Sequence, residues 1–567
     1  MEPALIINEI EFPDGGLLIL KPGSIVVVTG PNNAGKSTFL REISSNFDPN
    51  RGRKKFSGRI AKRIDSKLIG SQKDFLDFFT ESEKYDTERE AFIFTAPNGY
   101  SKNIYKRSTI KASVARGKLP APVEASFKAR LPAHERLGGS GYKDSVDSAA
   151  DSFFSNEAGE IALSKIFEDS FGIGLFLDRT RKEGSFYLCD RKELPPHDQR
   201  LTPEFRKWVE KLLPLREQGD GMRSFARLLI EVFVRKHSIV LIDEPELFLH
   251  PPQIRQLARK LVQEKPENTQ LIISTHSDDF VKGVLDNQPH DLNFIRLTRT
   301  AGETSVRSLQ NSDVNELWAD PLLRTSNALS SLFHQFTIVC EGETDARFLR
   351  WALDKTMTEN SHIDYFIAHC GGKQKMRRIV SSIRPIGANI LSFCDIDVLN
   401  DKTVFCELFT AHGGDYADVR KQHDLILKRT SERKAEISAH YFWSELDRIK
   451  QEYKQAQNVS APMQKEISNL IRRSSPWGRI KEDGYAAFVD AASVNAFKEI
   501  EQKCSSLGLF INPTGELESL CRSLPRNKSA WLTQVLEKSI EDEDMIDAKR
   551  VVGQIANYML ERTKPTF

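Results

Sequence analysis

Residues 24–40 read SIVVVTGPNNAGKSTFL. The β-branched run from Ile25 to Val28 has the composition of a buried strand. Gly30-Pro31-Asn32-Asn33-Ala34-Gly35-Lys36-Ser37 then fits the phosphate-loop spacing G-x-x-x-x-G-K-[ST], and Thr38 to Glu42 reads as the opening of a helix. Strand, loop and helix in that order are what the loop chemistry needs. Glycines let backbone N–H groups turn inward around an anion, and the helix N-terminus adds a favourable dipole. Lys36 is expected to reach the β- and γ-phosphates of a nucleoside triphosphate, and the Ser37 hydroxyl to hold Mg²⁺. Gly30, Asn32, Asn33, Gly35, Lys36, Ser37 and Thr38 are therefore the expected lining of an ATP site.

Upstream, ALIINEIEFPDGGLLIL (residues 4–20) alternates as two strands joined by Pro13-Asp14-Gly15-Gly16. Downstream, residues 51–67 carry eight Lys or Arg against one Asp, and residues 102–130 add eight more against a single acid. Such runs are ordinarily solvated faces, but two of them beside a nucleotide loop also suit a phosphate-backbone track. Residues 135–160 are rich in Gly and Ser and read as a loop or helical insertion. At 567 residues the chain is too long for one core, and the net charge of +2 excludes a global basic field. Any nucleic-acid contact must be local. Seven cysteines without a C-x-x-C pair point to reduced thiols in a cytosolic protein rather than to a zinc site. No run of about 18 apolar residues exists, so no membrane span is expected. The N-terminus lacks the basic and apolar regions of a signal peptide.

Further along, Gln218-Gly219-Asp220-Gly221-Met222-Arg223 opens an amphipathic helix. SIVLIDEPE (238–246) is an apolar strand ending in acids, and QLIISTHS (270–277) is another ending in a histidine. Asp243 is placed to bind Mg²⁺ through water, and Glu244 to orient or deprotonate an attacking water. His276 can touch the γ-phosphate.

A second alternation of strands and helices begins at FTIVC (336–340), which implies a parallel sheet with functional groups at its carboxyl ends. Glu341 and Asp345 close one strand; Asp395 and Asp397 close another and face the same way. Gly371-Gly372-Lys373 stands between them. Clustered carboxylates repel one another unless cations neutralise them, and hard oxygen ligands suit Mg²⁺ or Mn²⁺. Two such ions can activate water and stabilise a leaving oxygen in phosphodiester cleavage.

The first motif set resembles ATP-binding-cassette ATPases of the SMC/RecF kind. In that family a Gly-rich signature of one subunit caps the γ-phosphate held by the other, which implies such roles for Gly219 and Gly221. The usual Ser-Gly-Gly-Gln is missing here, and Gln72 is the candidate for the Q-loop glutamine. The second set resembles a Toprim domain, and the order ATPase then Toprim resembles the OLD-family nucleases, among them the nuclease subunit of Gabija-type anti-phage systems and some retron-associated effectors. The resemblance implies Glu341, Asp345, Asp395 and Asp397 as metal ligands, with Glu341 also acting in proton transfer. It further implies the later acids Glu516 and Glu518, and Lys528 as a transition-state stabiliser. The catalytic set is then Glu244, Glu341, Asp395 and Lys528.

The expected architecture is α/β: an ABC-type ATPase domain at 1–310 with a helical, dimer-forming insert at 135–215, a linker at 311–333, a Toprim domain at 334–525 and a helical segment at 526–567. The expected function is an ATP-regulated, divalent-metal-dependent endonuclease or nickase acting on double-stranded DNA in anti-phage defence. It would work as a homodimer or higher homo-oligomer in the cytoplasm, away from membranes, beside a second defence protein or a reverse transcriptase–DNA complex. The competing readings are an ATP-dependent DNA clamp or repair scaffold whose Toprim part is inert, and primase- or topoisomerase-like chemistry.

Overall fold

The computed structural model describes residues 3–47, 58–81, 85–86, 89–95, 102–120, 123–124, 127–132, 157–180, 185–196, 199–233, 237–300, 303–309, 318, 327–357, 363–432, 439–454, 458–474, 476–488 and 490–563. The chain divides into two compact units, residues 1–324 and 325–567. Most of the expected linker 311–333, the Gly/Ser-rich residues 135–156 and the basic residues 51–57 lie outside the described residues.

In the first unit, β1 (Ala4–Glu11) pairs antiparallel with β2 (Leu17–Ile19), as the turn residues imply. β3 (Ile25–Thr29) is buried at all five positions, which is why it reads as an unbroken apolar run. β4 (Arg63–Ile69) flanks β1. β5 (Tyr85–Asp86), β6 (Ala91–Thr95) and β7 (Lys102–Lys106) form a small antiparallel sheet. The main sheet adds β8 (Lys128–Pro132) and later strands. Between them, β9 (Gly174–Asp178), β10 (Ser185–Cys189) and β11 (Leu213–Pro214) make a three-stranded antiparallel sheet beside the helix Glu157–Phe171. The described part of 135–215, expected to be helical, is thus mixed. Phe176, Tyr187 and Phe205 give that sheet its own apolar cluster.

β12 (Ile239–Asp243), β13 (Gln270–Ser274), β14 (Leu292–Thr300) and β15 (Glu303–Leu309) complete a six-stranded sheet in the order β15-β14-β3-β13-β12-β8. All neighbours are parallel except β14–β15. A parallel sheet needs both faces covered, and Val26, Val28, Phe39, Leu40 and Ile43 pack one of them. The P-loop joins β3 to the helix Lys36–Asn46. Gly30 has φ +135°, and a Cβ there would stand 2.1 Å from the Leu297 carbonyl oxygen on β14. Gly30→Ala is therefore expected to destabilise the protein by roughly 1–3 kcal/mol. A thermal melt checks this, and an unchanged melting temperature would contradict the packing described.

The second unit is built on β16 (Phe336–Cys340), β17 (Tyr365–His369), β18 (Asn389–Cys394) and β19 (Leu509–Ile511). They form an all-parallel sheet in the order β17-β16-β18-β19. Helices Glu343–Thr356 and Lys373–Ile383 follow the first two strands. A long helical excursion separates β18 from β19, yet Cys394 pairs in register with Ile511. Helices Lys528–Val535 and Ile546–Thr563 contribute Trp531, Val551, Val552 and Ile555 to the same core as Ile338, Leu349 and Phe393. Among the described residues, no helix is long and apolar enough to cross a membrane. All seven cysteines are free.

Candidate functional site

In the first unit the P-loop and the ends of β12 and β13 meet at the carboxyl edge of the sheet, where open α/β sheets bind ligands. Gly35 (φ +103°) caps the helix and Asn33 (φ +61°) shapes the loop. The buried Lys36 donates from Nζ to the carbonyl oxygens of Gly30 (2.8 Å) and Pro31 (2.9 Å), so the ammonium lies over the loop. Ser37 Oγ donates to Asp243 Oδ1 at 3.1 Å, and Ser274 Oγ bonds the same oxygen. One buried carboxylate thus gathers the loop and two strand ends.

Glu244 sits at φ +53°, a conformation that costs a non-glycine residue about 1–3 kcal/mol and that clusters at functional sites. Its Oε1 lies 3.3 Å from His276 Nε2, so the two residues read separately from the sequence meet. Glu246 was not singled out by the sequence. Its carboxylate accepts from Thr275 Oγ1 (3.0 Å) and from the His276 N–H, bracing the histidine; burial raises its pKa. The second Glu of D-E-P-E was the available signal. Gly221 packs where a Cβ would stand 2.4 Å from the Phe248 carbonyl oxygen, whereas Gly219 faces open space. Gln72 begins the helix Gln72–Glu81.

In the second unit every expected acid lies at or just beyond the carboxyl ends of β16, β18 and β19. Asp345 Oδ2 accepts from Gly342 N–H at 2.8 Å in the first turn of its helix. Asp397 is gripped by Lys373 Nζ (2.8 Å) and Lys481 Nζ (2.7 Å), and Lys481 also lies 3.6 Å from Glu516. Lys481 was missed by the sequence. It stands in a helix (Pro476–Asp483) far along the chain from each acid motif, and its own carbonyl accepts from Glu516 N–H at 2.8 Å. The tight turn there demands glycine: Gly515 has φ +127°, with a Cβ position 2.2 Å from that carbonyl.

The charges feel one another strongly. Burial pushes Glu341 up to about 7, with the negative charges of Asp397 and Asp345 adding to it. Burial, then Asp345 and Glu341, drives Asp395 well above the usual carboxylate range. Burial also raises Asp345 and Glu518. Asp397 goes the other way: burial raises it, but the hydrogen bonds from Lys373 and Lys481 outweigh that and hold it low. Lys528 opens the helix Lys528–Val535, and its charge reaches Asp345, Asp395, Glu518 and Glu516, which raise its own pKa against the opposing effect of burial.

Glu341 Oε1, Asp345 Oδ1 and Glu518 Oε2 are buried with no hydrogen-bond partner. Among the described residues no three acidic, His or Cys side chains already converge as an ion-holding group, so capture of a cation requires rotation of these side chains. The donor set fits a hard divalent cation in kind: carboxylate oxygens without partners, on groups that burial pushes towards the neutral form.

The family models match the ATPase part. One described as "ABC transporter" covers residues 17–118, and one described as "AAA domain, putative AbiEii toxin, Type IV TA system" covers 203–282. A curated protein, the Old nuclease of Escherichia phage P2, is 28% identical over 175 residues, which is 30% of this chain. Over that stretch this chain is similar to the Old nuclease. The match spans 29% of the relative's own length. Solved structures similar to this chain include an Smc head bound to the C-winged helix domain of ScpA (14% identity, TM-score 0.32, 54% of this chain and 97% of that one). Others are an SMC head domain from Thermotoga maritima (13%, TM-score 0.28, 55% and 99%) and an ATP-binding cassette of an ABC transporter in its ADP conformation (11%, TM-score 0.23, 57% and 96%). Scores this low add nothing to the fold, which rests on the strand order above.

The raised Glu341 has a consequence for pH. Its folded pKa of about 7 lies above the unfolded carboxyl value, so between the two the native state holds more protons than the unfolded state. Stability of the metal-free protein is therefore expected to fall as pH rises from about 4.5 through about 7. Thermal melts across that range check the sign, and a rise in melting temperature over the same window would contradict it.

Proposed function

We propose that this chain is an OLD-like, ATP-regulated, divalent-metal-dependent DNA endonuclease or nickase, with a Toprim-type centre in the second unit. The observation that carries this reading is the set of buried, unpartnered carboxylate oxygens on Glu341, Asp345 and Glu518 beside Asp395, all at one sheet edge. Glu341, Asp345, Asp395 and Glu518 would hold Mg²⁺ or Mn²⁺, with Asp397 and Glu516 beside them. When bound, such an ion lowers the pKa of water and stabilises charge on a phosphate oxygen. Lys528 brings positive charge to the cluster, where negative charge grows in the transition state. Glu341, with a pKa of about 7 without a cation and so present in both forms near neutral pH, is suited to exchange a proton with the attacking or leaving oxygen.

The first unit would bind ATP at Gly30 to Thr38, with Asp243 and Ser37 at the magnesium position and Glu244 and His276 at the γ-phosphate. Gly219 and Gly221 would cap the nucleotide of a second copy, making the working form a homodimer or higher homo-oligomer. A cytoplasmic anti-phage role, with a second defence protein or a reverse transcriptase–DNA complex as partner, follows the family resemblance alone. Supercoiled plasmid incubated with Mg²⁺ or Mn²⁺, with and without ATP, tests the reading. Nicked or linear product whose amount changes with ATP supports it. Intact plasmid under all conditions, with DNA retained only when ATP is present, would instead favour a clamp with an inert second unit.

A further inference from the structure

A cavity of about 430 Å³ opens in the second unit, lined by Asn400, Leu427, Lys428, Thr430, Ser431 and Trp477. Cavities of roughly 300–1,000 Å³ hold small organic groups. Its walls are the turn Ile396–Asn400 and the helices Arg420–Ser431 and Pro476–Asp483, which pack on one another. None of the lining residues has a role in the sites above.

Side-chain bonds fix the walls. His423 Nε2 donates to the Leu399 carbonyl oxygen at 2.8 Å, while its Nδ1 accepts from the Tyr416 hydroxyl at 2.9 Å. Lys481 ties its helix to Asp397. The same elements link the cavity to the acid cluster along the backbone. Asn400 lies three residues past Asp397 along a 3₁₀ turn, about 6 Å at ~2 Å per residue. Trp477 lies one helical turn before Lys481, again about 6 Å at ~1.5 Å per residue.

The lining has a matching chemistry. Trp477 borders the cavity with little of its surface exposed (8%), so its indole is held still by packing. The Asn400 amide both donates and accepts at the mouth, and the exposed Lys428 there stands 3.8 Å from Glu432. We propose that this cavity seats one unstacked nucleobase of the DNA strand whose phosphate lies at the acid cluster. Trp477 is the stacking face, Asn400 contacts the base edge and Lys428 holds a neighbouring phosphate. The proposal rests on the nuclease reading and sharpens its substrate: strands with an unpaired or distorted nucleotide are preferred, because freeing a base from an intact duplex costs energy.

Single-stranded DNA carrying one 2-aminopurine, its position walked along the strand, is titrated with the full chain in Ca²⁺, so that a hard cation answers the acid cluster. Fluorescence is expected to be quenched at one register. Trp477→Leu, and separately Asn400→Ala on the exposed rim, are expected to remove that quenching and weaken binding about fivefold or more, with each variant's fold checked by its melt. Quenching and affinity that survive in both folded variants overturn the proposal, as does a wild-type chain that binds no strand. Nicking by the wild-type chain without register-specific quenching overturns the base seat and leaves the nuclease reading standing. Quenching that both variants lose, with no nicking under either metal, overturns the nuclease reading and leaves the base seat.

Discussion

Asp395→Ala is expected to reduce plasmid nicking by about a thousandfold or more while leaving nucleotide binding intact. The size follows from the site. Asp395 follows the last residue of β18 and is 9% exposed, and the charges of Asp345, Glu341 and Asp397 all bear on it. A carboxylate in such a place is costly unless a cation answers it, so removing it removes a ligand and the main reason for a cation to enter. Burial and the charges of Asp345 and Glu341 already disfavour an ionised Asp395, so the apoprotein is not expected to unfold without it; its melting temperature should hold or rise. Gel analysis of nicked circles over time reads the rate, and a fluorescent nucleotide titration reads the first unit. Equal nicking by wild type and variant would remove Asp395 from the chemistry.

Glu244→Gln is expected to slow ATP hydrolysis about a hundredfold to a thousandfold without loss of ATP binding. Lys36, Ser37 and Asp243, joined through 2.8–3.1 Å hydrogen bonds of the loop and strand ends, are untouched by the change. Glutamine keeps a polar partner for His276 but cannot take a proton from water. Phosphate release measures the effect. Because hydrolysis is blocked after binding, ATP should also drive a larger fraction of the variant into a dimer, visible by light scattering. Unchanged phosphate release would assign the proton transfer elsewhere.

The nucleotide loop was legible because its chemistry is local: a few consecutive residues carry strand, glycines, lysine and serine, and β3 and its helix form where they read. IVLIDEPE and ISTHS were legible for the same reason, since a buried parallel strand is one apolar run with its functional groups at the end. The strand order was not, because neighbours in a parallel sheet come from distant segments. β19, which leads to Glu516 and Glu518 in the turn beyond it, pairs with a strand whose sequence lies more than a hundred residues earlier. Lys481 was invisible for that reason. Nothing in KEDG announces that the lysine faces Asp397, and only the packing of its helix against the turn Ile396–Asn400 brings it there. The strands β9, β10 and β11 were read as helical insertion because each is short and the loops around them are polar.

The account depends on a divalent cation being captured at the edge of the second sheet, and Mn²⁺ binding followed by electron paramagnetic resonance at about pH 8, where Glu341 is mostly ionised, reads that directly. Wild-type chain without nucleotide is expected to bind Mn²⁺, with affinity falling about tenfold per pH unit below about 7, and the site is expected to vanish in Asp395→Ala. Mn²⁺ binding of equal strength in the wild type and the variant, or none in either, would contradict it.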